Sequence, residues 1–343
     1  MGMKESATVP AAAAQAPMEM TGPAEDSAHR LQDGAVPIAT VLRNGEPDLV
    51  HFGFACLVDA SGKCRWSLGD PHTKAFFRSS AKPLQALAMV QSGAADAAGL
   101  DNADLAIVCG SHSGGPAQVE QVRTVLAKTG LGPEALGCGD GLADQCSGKH
   151  AGMLTACRHL KLPIESYLDE SHPWQVRMRD LICEYCAVDP SETVSAVDGC
   201  SAPTLTLPVY NMALGFARLA RAAEQAGPEQ QLFAAMAENP SGHTGEPDMR
   251  PFLREGGPSR FAAAFITKGG ANGLHCAAAP GLGLGFAMKV LDGSTGPRWP
   301  VLTQALRAAG LISEATAAKM RMALWPKIET RRGATAGEIR VEF

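Results

Sequence analysis

The stretch Arg78-Ser79-Ser80-Ala81-Lys82-Pro83 decides the fold of this chain, because it joins a reactive pair of residues to a helix start. Ser79 and Lys82 are three residues apart, and on a helix this spacing brings both side chains to one face. Pro83 is tolerated only in the first turn, so we expect a serine to cap a helix that continues through residues 84–90. There the free N–H groups and the helix dipole favour developing negative charge.

The same stretch predicts nucleophilic chemistry. A serine hydroxyl attacks only when a neighbour takes its proton, and a lysine accepts that proton only when burial or a nearby cation lowers its pKa. Ser-x-x-Lys is the nucleophile motif of class A β-lactamases and penicillin-binding proteins. Ser79 is therefore a candidate nucleophile with Lys82 as its base. The alternative is a capping serine followed by a surface lysine.

Length and composition exclude several classes of protein. A chain of 343 residues, 45% hydrophobic and 19% charged, can bury a substantial core as one large domain or two. The net charge of −5 and the aromatic fraction of 5% argue against nucleic-acid binding. No apolar run has the length of a membrane helix, and we see no secretory signal. The 10 cysteines form no disulfide framework, so we expect a reduced, cytoplasmic protein.

The chain divides into a tail and a folded part. Residues 1–33 are rich in Ala, Pro, Met and Glu without a regular apolar period, and we expect them to be disordered. Residues 34–343 are then expected to form the catalytic domain.

Strand signals come in runs at both ends of the folded part, with helical signals between them. Residues 38–42, 52–58 and 64–68 are typical of short strands, with Asn44-Gly45 as a hairpin turn. Further strands are expected at residues 105–109, 261–268, 274–279, 282–291 and 340–343, and helices at residues 119–128, 149–160, 174–185, 211–224, 229–238, 299–310 and 314–324. This order favours an α/β (α+β) fold in which an antiparallel sheet packs with helices, rather than a doubly wound sheet.

Other loops also carry residues with useful chemistry. Ser111, in Cys109-Gly110-Ser111-His112-Ser113, could be a second nucleophile or a proton shuttle. Lys268, in Thr267-Lys268-Gly269-Gly270, is a later lysine beside glycines, as in other Ser-x-x-Lys active sites. The loops around Cys146-Ser147-Gly148-Lys149-His150 and Asp198-Gly199-Cys200 could supply sulfur and nitrogen ligands for Zn²⁺. The alternatives are a turn serine, a surface lysine and buried free cysteines, since the cysteine spacing matches no zinc finger.

Taken together, these motifs resemble the asparaginase II family, the zinc-associated, Rhizobium-type L-asparaginases. The matching elements are His51 with the strand after it, Gly69-Asp70-Pro71, residues 78–87, Ser111-His112-Ser113-Gly114, residues 146–154, residues 197–204 and residues 267–270. They follow one another in the family's order and spread over residues 36–343.

The resemblance implies a fold similar to serine β-lactamases and the related glutaminases, a homodimer, and hydrolysis of L-asparagine to L-aspartate and ammonia. It implies a small-molecule substrate, with no nucleic acid or membrane as partner. It also implies a Zn²⁺ ion in each chain that turnover need not require. The implied site residues are, for catalysis, Ser79, Lys82, Ser111 and Lys268; for substrate binding, His51 and Asp198; and for the metal, Cys146, Lys149 and Cys200.

Two departures from the family pattern bear on specificity. The segment before Cys146, residues 137–145, is shorter than is usual in the family, so a wall or lid of the pocket is reduced. Residues 242–248 also differ from the family's pattern. Two alternatives therefore stay open. One is a Ser-x-x-Lys amidase, esterase or glutaminase of shifted specificity, and the other is a ligand-binding homologue without turnover.

Overall fold

The computed structural model of the chain describes residues 31–240, 244–253 and 265–341. The expected disordered tail lies outside these residues except for 31–33, which form a turn of helix. The first part of the strand predicted at 261–268 and the last two residues of the strand predicted at 340–343 also lie outside them.

An antiparallel sheet forms the centre of the described part of the chain. The strands are β1 Val36–Arg43, β2 Glu46–Asp59, β3 Cys64–Leu68, β4 Lys74–Phe76, β5 Ser195–Val197, β6 Pro203–Pro208, β7 Ile266–Gly270, β8 Leu274–Ala279, β9 Leu284–Val290, β10 Ile328–Glu329 and β11 Thr335–Arg340. Eight of them make one sheet in the order β10-β11-β1-β2-β9-β8-β7, with β3 paired to β2. The remaining strands form a 3-stranded sheet in the order β4-β6-β5. The fold class predicted from the sequence is confirmed.

The first hairpin forms as the sequence predicts. Asn44 has φ 50° and Gly45 has φ 85°, which are the two positive values that a type I′ turn requires. β1 and β2 pair on either side of this turn, and β2 goes on to pair with β3 and β9. The long central strand is therefore held by neighbours along both of its edges.

Helices cover both faces of the sheet. They are α1 Lys82–Gln91, α2 Ala94–Ala97, α3 Asn102–Cys109, α4 Pro116–Lys128, α5 Ser147–Leu160, α6 Pro173–Cys186, α7 Val209–Ala222, α8 Pro228–Glu238, α9 Arg250–Leu253, α10 Arg298–Ala308 and α11 Glu314–Leu324. Because side chains alternate along β2, Phe54 and Cys56 join the core beneath α1 and α3–α8, whereas Ala55 and Leu57 join the core beneath α10 and α11. Each large apolar side chain buried in this way stabilises the fold by about 2 kcal/mol.

The strand predicted at residues 105–109 is wrong, since these residues end α3. The carboxylate of Asp101 accepts hydrogen bonds from the N–H groups of Ala103 and Asp104, and Asp104 completes a capping box. A short apolar run fits a buried strand or a buried helix equally well, and here the two aspartates decide for the helix. The loop that follows this helix carries Ser111.

No helix within residues 31–240, 244–253 and 265–341 has both the length and the apolar character needed to span a bilayer.

Candidate active site

A cleft of about 530 Å³ opens where the turn before α1, the loop after α3, the segment before α5 and the end of β7 meet. The residues predicted for the site that line this cleft are Ser79, Ser111, Cys146, Asp198, Cys200 and Lys268. Lys82 and Lys149 lie buried behind its wall and contact residues that line it. The structure therefore brings together residues from distant parts of the sequence.

The serines of the hexapeptide stand in a 3₁₀ turn, Arg78–Ala81, that precedes α1. Neither serine caps a helix with its side chain, so that expectation is not met. Ser80 is buried, and its hydroxyl donates to the carbonyl oxygen of Lys268 at 2.9 Å. Ser79 faces the cleft, with its Oγ 4.0 Å from Sγ of Cys146. The two neighbouring hydroxyls thus have different roles: Ser80 fixes β7 against the turn, and Ser79 stays accessible.

Lys82 is completely buried and holds three acceptors. Its Nζ lies 2.5 Å from the carbonyl oxygen of Gly110, 3.1 Å from that of Gln145 and 3.0 Å from Oγ of Ser111. Within the described residues it makes no hydrogen bond to Ser79, the partner that the sequence predicts. Burial lowers the pKa of Lys82. Three acceptors nevertheless match the three N–H donors of an ammonium group, so this geometry suits a protonated lysine.

Lys268 reaches the same hydroxyl from the middle of β7. Its Nζ lies 2.9 Å from Oγ of Ser111 and 2.7 Å from the carbonyl oxygen of Gly269, and 3.9 Å from Oε1 of Glu246. Burial lowers the pKa of Lys268 to about 8, with Glu246 opposing the shift and Lys82 adding to it. Lys268 can therefore lose its proton near neutral pH.

Ser111 is the point at which both lysines meet. Its backbone N–H donates to the carbonyl oxygen of Thr244 at 3.1 Å. Gly245, with φ 74°, packs so closely that a methyl group there would come within 2.4 Å of the carbonyl oxygen of Ser111. His112 anchors the other side of the loop through Nε2, 2.8 Å from Oγ of Ser147. The position of the Ser111 hydroxyl is thus fixed by backbone packing as well as by the lysines.

A pair of cysteines with a lysine forms the neighbouring wall. Nζ of Lys149 donates to Sγ of Cys200 at 2.9 Å. The interaction between the two thiols lowers the pKa of Cys146 and raises that of Cys200, and the charges of Lys82 and Lys149 favour the thiolate of Cys146. Burial opposes the charge on Lys149, but the two sulfurs outweigh it and the pKa of Lys149 is raised. The neighbouring lysines therefore favour a thiolate on Cys146.

Cys146, Lys149 and Cys200 supply some, but not all, of the ligands that a zinc ion needs. In the described residues, no three His, Cys, Asp or Glu side chains converge as metal ligands, so Cys146 and Cys200 would need Lys149 as a third donor. Two sulfurs suit Zn²⁺, and a thiolate is already favoured here. Lys149 would have to release its proton before it could bind the metal.

The two residues predicted to bind substrate lie in different places. Asp198 lines the cleft, where its Oδ1 lies 2.7 Å from Nη2 of Arg78. His51 is buried on β2, with Nδ1 2.6 Å from Oδ2 of Asp292, and is not among the residues that line the cleft. The structure therefore brings Asp198, but not His51, to the predicted site.

Sequence reasoning missed several charged residues of the cleft. They are Arg78, Asp140, Asp144, Glu246 and Arg298. Arg78 stands beside Ser79 in the quoted motif, and its φ of 50° is a backbone strain that no sequence pattern predicts. Glu246 lies in the stretch that departs from the family pattern, which was a usable signal. Arg298 gave none, because an arginine at the start of a helix is ordinarily a surface residue.

Comparisons with known proteins agree with the motifs. A sequence model of the family described as L-asparaginase II matches residues 39–341. No curated protein sequence matches the chain at a significant level. A solved β-lactamase from Mycobacterium bovis is similar at 17% identity and a TM-score of 0.45, covering 83% of this chain and 100% of that one. SurE with D-Leu is similar at 16% identity and a TM-score of 0.38, covering 84% of this chain and 74% of that one. Both structural likenesses are distant, and neither bears on the activity of this chain.

Proposed function

Because the chain belongs to the L-asparaginase II family, we propose that it hydrolyses the side-chain amide of L-asparagine to L-aspartate and ammonia by serine–lysine catalysis. One observation carries this proposal: Oγ of Ser111 lies 2.9 Å from Nζ of Lys268 and 3.0 Å from Nζ of Lys82, on the wall of the cleft. A hydroxyl between two buried amines has a base and a cation within hydrogen-bond reach.

The geometry favours Ser111 over Ser79 as the nucleophile. Ser79 has no lysine within hydrogen-bond distance in the described structure, whereas Ser111 has two. Lys268 is the better base, because its pKa of about 8 lies near the pH at which a general base works best. Lys82 is the better cation, because two carbonyl oxygens hold two of its N–H groups and direct the third at Ser111.

The reaction then runs in two steps. Lys268 takes the proton of Ser111, and Oγ attacks the carboxamide carbon of the substrate. The protonated lysine returns this proton to the departing nitrogen, so that ammonia leaves and an ester remains on Ser111. A water molecule, deprotonated by the same lysine, then attacks the ester carbon, and the lysine returns this proton to Oγ of Ser111 as the ester bond breaks and L-aspartate is released. Lys82 stabilises the negative charge that develops on Oγ.

Ser79 and Asp198 complete the proposed substrate contacts. Both line the cleft with Ser111. Asp198 is held by Arg78 and by the N–H of Gly199, at 2.7 Å and 2.6 Å, so its carboxylate has a fixed direction. We assign it to accepting a hydrogen bond from the substrate, and Ser79 to contact with the reacting amide. His51 has no place in this set.

We propose that Cys146, Cys200 and Lys149 hold a Zn²⁺ ion, supported by the 2.9 Å contact between Lys149 and Cys200 and by the position of both cysteines on the wall of the cleft. Bound zinc would supply positive charge at the cleft wall, and the serine–lysine chemistry does not depend on it. Elemental analysis of protein purified without chelator should give about one zinc per chain. Cys200→Ser should lose most of it. Metal content unchanged in both Cys146→Ser and Cys200→Ser would reject the site.

Ammonia release tests the function directly. Purified protein should release ammonia from L-asparagine with a higher kcat/KM than from L-glutamine. A higher kcat/KM for L-glutamine or for an unrelated amide would show that L-asparagine is not the preferred substrate. If the folded protein hydrolyses none of the amides tested, the proposed activity is wrong and a ligand-binding protein without turnover is the remaining function.

We also propose a cytoplasmic homodimer. All ten cysteines are free and nine of them are buried, which supports a reducing compartment. Light scattering after size-exclusion chromatography would give the mass of the particle and so test the dimer.

A further inference from the structure

Most charged groups of the cleft already have partners. Arg78 pairs with Asp198 at 2.7 Å, and the carboxylate of Asp144 accepts the N–H of Cys146 at 2.7 Å. Arg298 is different. In the described part of the chain its side chain makes one hydrogen bond, from Nε to the carbonyl oxygen of Thr295 at 3.2 Å, and no carboxylate oxygen lies within 4.0 Å of its guanidinium. An arginine that lines a cleft and pairs with no carboxylate of the protein can bind an anionic group of a ligand.

Glu246 lies beside Arg298 without pairing with it. A methyl group at Gly269 would come within 2.6 Å of Nη1 of Arg298 and within 2.9 Å of Oε1 of Glu246. Both charged groups therefore occupy the space that the missing side chain leaves, next to Lys268. Oε1 of Glu246 accepts the N–H of Gly269 at 2.6 Å. Glu246 and Arg298 are thus fixed on one wall as opposite charges, with no ion pair of 4.0 Å or less between them.

We propose that Arg298 and Glu246 form the subsite for the head group of a free α-amino acid, with the α-carboxylate on Arg298 and the α-ammonium on Glu246. This inference rests on the proposed function and narrows it to substrates that carry both charges. A guanidinium presents two parallel N–H groups to a carboxylate, and a carboxylate is the natural acceptor for an ammonium group. The subsite adjoins Lys268 and Ser111, so a short side chain on the bound amino acid would direct its amide towards the nucleophile.

The surroundings of Arg298 keep the subsite in place. Arg298 is the first residue of α10, and the next residue, Trp299, packs edge-to-face on His275 with ring centroids 5.0 Å apart. His275 faces Gly269 across the β7–β8 pair and is completely buried. Burial and the charge of Arg298 hold the pKa of His275 far below its ordinary value, so the ring stays neutral and does not repel the guanidinium.

Three substrates separate the two halves of this subsite. L-Asparagine carries both charges, succinamate lacks the α-ammonium, and 3-aminopropanamide lacks the α-carboxylate. Arg298→Gln should lower kcat/KM for L-asparagine and succinamate by about 100-fold, and for 3-aminopropanamide by less than about threefold. Glu246→Gln should lower kcat/KM for L-asparagine and 3-aminopropanamide far more than for succinamate. Arg307→Gln is the matched control, because Arg307 lies in the last turn of α10 and pairs with Glu314. It should leave kcat/KM unchanged for all three substrates.

Glu246 also supports the charge of Lys268, so its loss shifts the pH dependence with every substrate alike. The ratios of kcat/KM between substrates are free of this effect when they are measured at a pH above the rising limb, where kcat/KM no longer changes with pH. If either variant loses the same factor with all three substrates, the residue acts on the catalytic groups and the head-group subsite is wrong.

Calorimetry distinguishes failure of the subsite from failure of the proposed function. The wild-type protein should bind L-aspartate, and Arg298→Gln should weaken this binding by about 100-fold. If the protein binds L-aspartate through Arg298 but hydrolyses no amide, the subsite stands and the proposed function falls. If it hydrolyses L-asparagine but Arg298→Gln and Glu246→Gln leave all ratios and L-aspartate binding unchanged, the function stands and the subsite falls. A protein that neither binds L-aspartate nor releases ammonia overturns both.

Discussion

Ser111, not Ser79, is the residue on which turnover should depend most. Ser111→Ala removes the hydroxyl that contacts both buried lysines, so kcat should fall by several orders of magnitude while the protein stays folded. Ser79→Ala should lower kcat/KM by about tenfold, because a substrate contact is lost but the nucleophile remains. Mass spectrometry of protein quenched during turnover should find the aspartyl ester on the peptide that contains Ser111. An ester on the peptide that contains Ser79 would contradict this assignment.

Lys268 sets the expected pH dependence. Its pKa of about 8 in the folded protein means that below this pH the lysine is protonated and cannot act as a base. The value of kcat/KM should therefore rise with pH through about 8 and then level off. Glu246 raises the pKa of Lys268, so Glu246→Gln should move the rising limb to lower pH. If kcat/KM instead falls as the pH rises through about 8, Lys268 acts as an acid or as a cation and not as a base.

The loop that carries Ser111 depends on the glycine packed against it. Gly245→Ala puts a methyl group 2.4 Å from the carbonyl oxygen of Ser111, at a φ of 74°. We expect kcat to fall at least tenfold, because a displacement of about 1 Å at a catalytic group is costly. Gly130→Ala is the control, since Gly130 has φ 70° and open space around it. It should lower the free energy of unfolding by about 1 kcal/mol and leave kcat unchanged. Equal kcat in both variants would show that the contact with Ser111 does not matter.

At the level of secondary structure, local signals were reliable wherever they were complete within a few residues. The Asn44-Gly45 turn and the strands beside it form as predicted, because a type I′ turn is specified by the two residues themselves. The strand predicted at residues 105–109 was wrong for the opposite reason. Five consecutive apolar residues are too few to distinguish the period of a strand from that of a helix. Asp101 and Asp104 carried the missing signal as a capping box.

At the scale of the whole molecule, the first and the last strands of the described chain lie side by side in the sheet. β11 pairs with β1, and Ile339 of β11 is 3% exposed in the core beneath α10 and α11. Ile339→Ala should lower the free energy of unfolding by about 2–4 kcal/mol through the cavity it leaves. Thr335→Ala, exposed on the same strand, should change it by less than about 0.5 kcal/mol. Urea unfolding measures both values, and equal midpoints for the two variants would show that this end of the sheet contributes little.

The sequence by itself determined the family, the class of fold and part of the set of residues that line the cleft, because each motif is a short string with its own chemistry. Only the tertiary structure decided how those residues are paired. Lys82 lies three residues from Ser79, yet its amine reaches Ser111, and Lys268 reaches that same hydroxyl from 157 residues away. Arg298 had no signal in the sequence, and for Glu246 the only signal was that residues 242–248 depart from the family pattern. The physical reason is that hydrogen-bond partners and burial depend on which segments pack against one another, and burial in turn sets the pKa of each lysine.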